Sequence, residues 1–263
     1  MNEGLVLRAD EGPVAYLTLN DPARLNALSV AMLEALQAAL DALAGDRSAR
    51  VVVIRGAGRA FCAGHDLKEM TAARAAEDGG AAFFAALFDR CAAMMTTLPR
   101  LPQPVIAEVH GVAAAAGCQL VASCDLAVAA EGARFGVNGV NIGLFCSTPM
   151  VALTRAVGRK AAFEMLTTGE FVAAEEARRI GLVNRVAPED RLGEAVRGLA
   201  GTIADKLGPA VAIGKRAFYE QAELGLEAAY AHAGAVMVRN MLREDTAEGI
   251  AAFLDKRPPD WRQ

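Results

Sequence analysis

The chain has 263 residues, 54% of them hydrophobic and 22% charged, and a formal net charge of −4 at pH 7. That is enough for a substantial core, in one large domain or in a core domain with an appendage. The acidic balance excludes a general nucleic-acid binder, which needs a basic face, and no apolar run free of charge approaches the length of a membrane span.

The N-terminal MNEGLVLRADEG carries acids and Gly where a signal peptide needs a basic region and an apolar core. The five cysteines, at 62, 91, 118, 124 and 146, have no CxxC spacing. They read as reduced core residues of a cytoplasmic protein rather than a disulfide or zinc framework. Histidines at 65, 110 and 232 are too scattered to suggest a metal site.

Residues 5–7 and 14–19, separated by Ala9-Asp10-Glu11-Gly12-Pro13, predict an opening hairpin that Asn20-Asp21-Pro22 ends. Ser29 is placed to cap a helix in which Leu33, Leu36, Leu40 and Leu43 recur at helical spacing, and Gly45 closes it. Residues 51–54, all Val or Ile, read as a strand buried in a parallel sheet. A loop of small residues, 55–66, follows directly. Residues 77–82 are rich in Gly and Ala and predict a mobile excursion. A helix is predicted over 83–98, and Pro99, Pro102 and Pro104 force an extended approach to the next strand.

The stretch 104–130, PVIAEVHGVAAAAGCQLVASCDLAVAA, then organises the chain. A short apolar run, a small-residue turn and a longer run predict strand, tight turn and helix N-terminus. The first N–H groups of such a helix lack intrahelical partners and carry the positive end of its dipole, and here almost no side chain blocks an approaching oxygen.

Further strands are predicted at 126–129 and 134–136, and Thr148-Pro149 resembles a cap followed by Pro at the first helical position. Helices over 151–157, 160–167 and 174–180, a short strand at 183–186, and helices over 189–207, 209–223, 226–242 and 246–254 complete the chain. Strands alternate with helices and then give way to helices, which predicts an α/β core with a helical C-terminal subdomain. Both small-residue loops follow strands, where open α/β folds place ligands.

Two familiar chemistries are not supported. In Gly56-x-Gly58-x-x-Phe61 the third small residue of a dinucleotide loop is missing and no helix pattern opens after it. No GxSxG occurs, so there is no nucleophile elbow, and Ser147 reads as part of a helix cap.

Five segments do form a known pattern. They are Arg24-Leu-Asn-Ala-Leu28, Ala60-Phe-Cys-Ala-Gly-His-Asp-Leu67, Pro104-Val-Ile-Ala through Gly111 to Asp125, Leu153-Thr-Arg-Ala-Val-Gly158, and Glu248-Gly-Ile-Ala-Ala-Phe-Leu-Asp-Lys-Arg257. In order and spacing they resemble the crotonase (enoyl-CoA hydratase/isomerase) superfamily over essentially the whole chain. The resemblance implies a spiral of ββα units with an acyl-CoA pocket over residues 1–200, and a helical C-terminal trimerisation region over 201–263. It implies a homotrimer or a hexamer made of two trimers, with coenzyme A entering as part of the substrate and no covalently bound cofactor or metal. It also implies an oxyanion hole for the thioester oxygen, built from the backbone N–H groups of His65 and Ala116. Enolate charge develops on that oxygen, and one preorganised donor can contribute ~3 kcal/mol to the transition state. By the same resemblance Arg24, Asn26, Ala27 and Leu28 face the CoA with Ala63, His65, Asp66, Leu67, Lys68 and Lys256, the last reaching over from the C-terminus.

The departure lies in the acids. The family's hydratases hold a water between two glutamates; the matching positions here are Gln119 and Gly139. Gln cannot take a proton at neutral pH, and Gly offers no side chain. General acid–base groups contribute ~10²–10⁴-fold in rate, so poor hydratase activity is expected. Asn138 and Asn141 flank the vacant position without supplying acid–base chemistry. Cys146 precedes a helix N-terminus that would lower a thiol pKa, but reads as a small buried hydrophobe. Asp66 and Asp125 read as capping or turn-holding groups, and His110 as locally bonded. Three functions stay open: an oxyanion-hole enzyme without the acid pair, suited to thioester decarboxylation or hydrolysis; an ordinary 2-enoyl-CoA hydratase of fatty-acid metabolism; and a non-catalytic acyl-CoA binder.

Overall fold

The computed structural model describes residues 4–261. The opening hairpin forms as predicted: Val6–Glu11 (β1) and Val14–Leu19 (β2) pair antiparallel. Along β2, Ala15, Leu17 and Leu19 enter one core cluster while Val14 and Tyr16 enter another, so both faces of this strand are covered. Ser29 caps Val30–Ala44 (α1), its hydroxyl accepting from the Met32 N–H at 3.1 Å, and Leu33, Leu36, Leu40 and Leu43 are all buried. Val51–Gly56 (β3) lies parallel to β2, and its Val/Ile run alternates between the same two clusters.

Two helices follow, Leu67–Ala73 (α2) and Ala81–Thr97 (α3). The turn before α3 is built, not a loose excursion. The Asp78 carboxylate accepts from the N–H groups of Gly80 and Ala82 at 2.9 and 2.8 Å, which fixes the turn and starts the helix. The helical run 81–100 is long and apolar enough to cross a membrane by length and composition alone. It carries Asp89 and Arg90 at its middle and packs Leu87, Cys91, Met94 and Leu98 into the core, as a core helix does.

The organising stretch holds one strand more than its sequence suggests. Val105–Val109 (β4) is followed by Val112–Ala114 (β5), and only then by Ala116–Ser123 (α4). The Ala-rich "turn" contains β5 because a second, smaller sheet needs it. Leu126–Ala130 (β6) and Arg134–Gly136 (β7) repeat the pattern. Pro149–Ala156 (α5), Arg159–Thr168 (α6), Val172–Ala173 (β8), Ala174–Arg179 (α7) and Arg185–Ala187 (β9) come next. Thr148 does not cap α5: its backbone is already helical and its side chain makes no capping bond. The chain ends in Leu192–Ala204 (α8), Gly208–Ala222 (α9), Leu226–Met241 (α10) and Glu244–Leu254 (α11).

The large sheet runs β1-β2-β3-β4-β6-β9 and the small one β5-β7-β8. Each circuit visits the large sheet, then the small one, then a helix: β4, β5, α4, and again β6, β7, α5. The circuit through β3 does the same, since Cys62 bridges to Ala113 of β5 before α2 begins. This is the expected α/β spiral of ββα units. The main core lies between the sheets with α1, α3 and α4, while Leu192, Val196, Leu199 and Ala200 of α8 cover the other face of the large sheet. Helix α8 therefore runs across residue 200 and belongs to the sheet packing.

Candidate active site

The first loop is shaped by one buried side chain. Asn26, in left-handed backbone conformation, donates from Nδ2 to the carbonyls of Ala57, Ala60 and Phe61, and its Oδ1 accepts from the Asp21 N–H at 2.9 Å. The amide expected at the CoA is thus spent on holding the loop after β3 against the loop before α1. A backbone bond from the Leu28 N–H to the Gly64 carbonyl, 2.7 Å, continues the seam. It gathers Ala27, Leu28, Ala63, His65 and Asp66 at one edge. Asp66 is buried and caps α2, its Oδ1 accepting from Lys68 and Glu69, the capping role read from the sequence. Arg24 sits over this edge, paired with Asp21 at 2.7 Å and Asp66 at 3.5 Å. Leu67 and Lys68 are exposed on the same rim, whereas Lys256 lies beyond α11 in the C-terminal segment.

The second loop meets the first through Gly64. At φ +94°, Gly64 lies so close to the other chain that a Cβ there would fall 2.9 Å from the Ala114 carbonyl, 3.0 Å from the Ala115 Cβ and 3.3 Å from the Ala116 nitrogen. Only glycine lets the two backbones approach this closely. Ala115 is held at φ 46°, ψ −115° by its own N–H donating to the Gly136 carbonyl, and this turn aims Ala116 as the first residue of α4. Among the described residues, neither the His65 N–H nor the Ala116 N–H has a backbone acceptor. Two unpaired donors thus flank a Gly–Ala contact, at the positive end of a helix.

The side chains around them are neutral. Gln119 is 5% exposed, and its Oε1 is buried without a hydrogen-bond partner. The His65 ring is set by Nδ1 near the Leu28 carbonyl, 3.3 Å, and by an edge contact with Phe88, while Nε2 is buried without a partner. Burial lowers its pKa below the usual imidazole value, so the ring is neutral at pH 7. It turns inward, away from the CoA contact that the resemblance implies. His110 bonds locally, through Nε2 to the Gly58 carbonyl at 2.8 Å.

Position 139 is closed as well as lacking a side chain. Gly139 lies in the 3₁₀ turn Asn138–Ile142, and a Cβ on it would meet the Leu144 carbonyl at 2.3 Å and the Cys146 Sγ at 2.9 Å. Cys146 is buried, and burial raises its thiol pKa, outweighing a hydrogen bond from the Gly139 N–H. It is the small buried hydrophobe that was expected. Asn141 donates to the Gly169 carbonyl at 3.1 Å and faces away from acid–base work. Sequence reasoning missed the Leu144 carbonyl over Gly139 and the Phe88 edge on His65. No local signal announces either, because both come from distant folding of the chain. Among the described residues there is no group of three or more His, Cys, Asp or Glu side chains suited to a metal.

This spiral of two sheets is the fold of the enoyl-CoA hydratase/isomerase (crotonase) family, and the chain belongs to it: the family model matches residues 9–263. Its relatives include enoyl-CoA hydratase domain-containing protein 3 of Xenopus laevis, 46% identical over 256 residues, covering 97% of this chain and 85% of that one. An enoyl-CoA hydratase structure from Mycobacterium smegmatis superposes with a TM-score of 0.95 at 54% identity, covering 99% of this chain and all of that one. The human enoyl-CoA hydratase domain-containing protein 3 structure gives 0.93 at 43% identity, covering 98% and 100%. The Xenopus and human relatives are named as mitochondrial, which overturns the cytoplasmic location expected from the sequence. Reduced, buried cysteines do not distinguish the two compartments.

Proposed function

We propose that the chain binds an acyl-CoA thioester and stabilises negative charge on its oxygen between the His65 and Ala116 N–H groups, without the acid pair of a hydratase. The observation that carries this reading is the Gly64 contact with Ala115 and Ala116, which brings two unpaired donors to one place. Preorganised backbone donors stabilise charge that develops during reaction and need no side chain to do so, so Ala116 serves where Gly is usual. The gathered edge of Arg24, Ala27, Leu28, Ala63, Asp66, Leu67 and Lys68 receives the CoA, with Arg24 and Lys68 toward its phosphates. In an assembly of copies Lys256 reaches it from a neighbouring subunit.

Gln119 and Gly139 argue against ordinary hydration. Water addition needs a group that accepts its proton and one that delivers a proton to carbon, and neither residue titrates near neutrality. A turnover assay with crotonyl-CoA tests this directly. The hydration rate is expected to fall ~10²–10⁴-fold below that of a two-glutamate hydratase under the same conditions. A comparable rate would show that the acids are dispensable and that the chain is a working hydratase.

A further inference from the structure

We propose that Gln119 determines substrate specificity: its side-chain amide pairs with a hydroxyl on the third carbon of the acyl chain, so the site prefers 3-hydroxyacyl thioesters to unsubstituted ones. This rests on the thioester reading above and adds the chemistry of the acyl group.

The amide oxygen is, with His65 Nε2, one of two buried side-chain atoms of the site left without a partner. Its residue is 95% buried and its Oε1 has no partner. A buried polar atom left unpaired is costly, so its retention in a helix of mostly small apolar residues points to a partner that arrives with the ligand. Gln119 stands three residues after Ala116 in α4. Residues at that spacing share a helix face, and helical side chains lean toward the N-terminus, which brings the amide to the same end as the Ala116 N–H.

The fold also withholds the partner that position 119 has in a hydratase. With the Leu144 carbonyl and Cys146 Sγ over Gly139, no side chain can extend from position 139 to meet it. The chemistry of the missing partner follows from the amide itself, which both donates and accepts. A hydroxyl does both in return. A ketone accepts only and leaves Oε1 unpaired. A carboxylate has the same defect and also needs a cation once it is out of water. Lys215, the one buried cation among the described residues, is already committed to Asp125 and to the carbonyls of Leu98 and Gln103.

The test is calorimetric titration of the full chain with 3-hydroxybutyryl-CoA, acetoacetyl-CoA and butyryl-CoA. The hydroxyacyl thioester is expected to bind about tenfold tighter than butyryl-CoA, with acetoacetyl-CoA close to butyryl-CoA. In Gln119→Leu and in Gln119→Met, each checked by its melting curve, the hydroxy-to-unsubstituted ratio should fall to about one. Equal affinities in the native protein overturn the proposal, and this arm needs no variant to fold. A preference that persists in a folded variant overturns it equally. If none of the three thioesters binds, the thioester reading itself has failed, a result distinct from binding without preference.

Discussion

At residue 139 a single missing Cβ separates two explanations of a lost acid. An acid lost by substitution alone could be restored by substitution. Here the Leu144 carbonyl and the Cys146 Sγ occupy the path of any side chain, and the Leu144 N–H closes back on the Gly139 carbonyl at 3.0 Å. Backbone so placed cannot step aside as the tip of a flexible side chain can. The double variant Gln119→Glu with Gly139→Glu is therefore expected to lose more than ~2 kcal/mol of stability through overpacking, and its crotonyl-CoA hydration should not exceed that of Gln119→Glu alone. Urea unfolding and the hydration assay, run on both variants, measure the two halves of this statement. A stable double variant with raised hydration would mean that residues 143–146 adapt. Residue identity thus reports the absence of the acid, while the surrounding backbone reports why that absence is lasting.

At the scale of elements, one buried ionic cluster ties the helical end of the chain to the spiral. Lys215 of α9 donates to Asp125 at 2.6 Å and to the carbonyls of Leu98 and Gln103 at 2.8 Å each. The Tyr219 hydroxyl and the Val105 N–H complete the carboxylate of Asp125, which follows α4. Three elements, the end of α3, the start of β4 and the turn after α4, are fixed to α9 by one ammonium. Burial lowers the Lys215 pKa and the carboxylate opposes that shift. Removing one member leaves the other buried and unpaired, so Lys215→Met is expected to cost ~3–5 kcal/mol. Lys215→Met with Asp125→Asn should lose less than the sum of the single changes. Denaturant midpoints of the three variants form a double-mutant cycle, and strict additivity would refute the coupling. Asp125 was legible as a turn-holding acid, but its partner lies 90 residues away and carries no local signature.

For the whole molecule, α10, the turn after it and α11 present Leu226, Tyr230, Met237, Leu242, Phe253 and Leu254 strongly exposed. An apolar stripe of this extent is a liability in an isolated chain and an asset at an interface. We propose that it supports the homotrimer or hexamer that the family resemblance implies, with residues 201–263 as the assembling region. Light scattering should then report a mass three or six times 27.4 kDa. Tyr230→Glu combined with Met237→Glu should shift the protein toward the single chain, since two charges would be buried without partners. A monomeric native protein at micromolar concentration would refute the assembly. Much of this protein is legible in its local sequence. Short apolar runs set the strands, leucine spacing with Ser29 set α1, small residues marked the two loops, and Gln119 and Gly139 showed the missing acids. Those are local properties, written in periodicity and side-chain chemistry. Contacts between distant segments add that the Ala-rich turn holds a strand, that the Asn26 amide is consumed within the chain, that position 139 is sealed and that the Gln119 Oε1 is left unpaired. Each of these depends on what a distant segment brings into contact, and no local pattern encodes that.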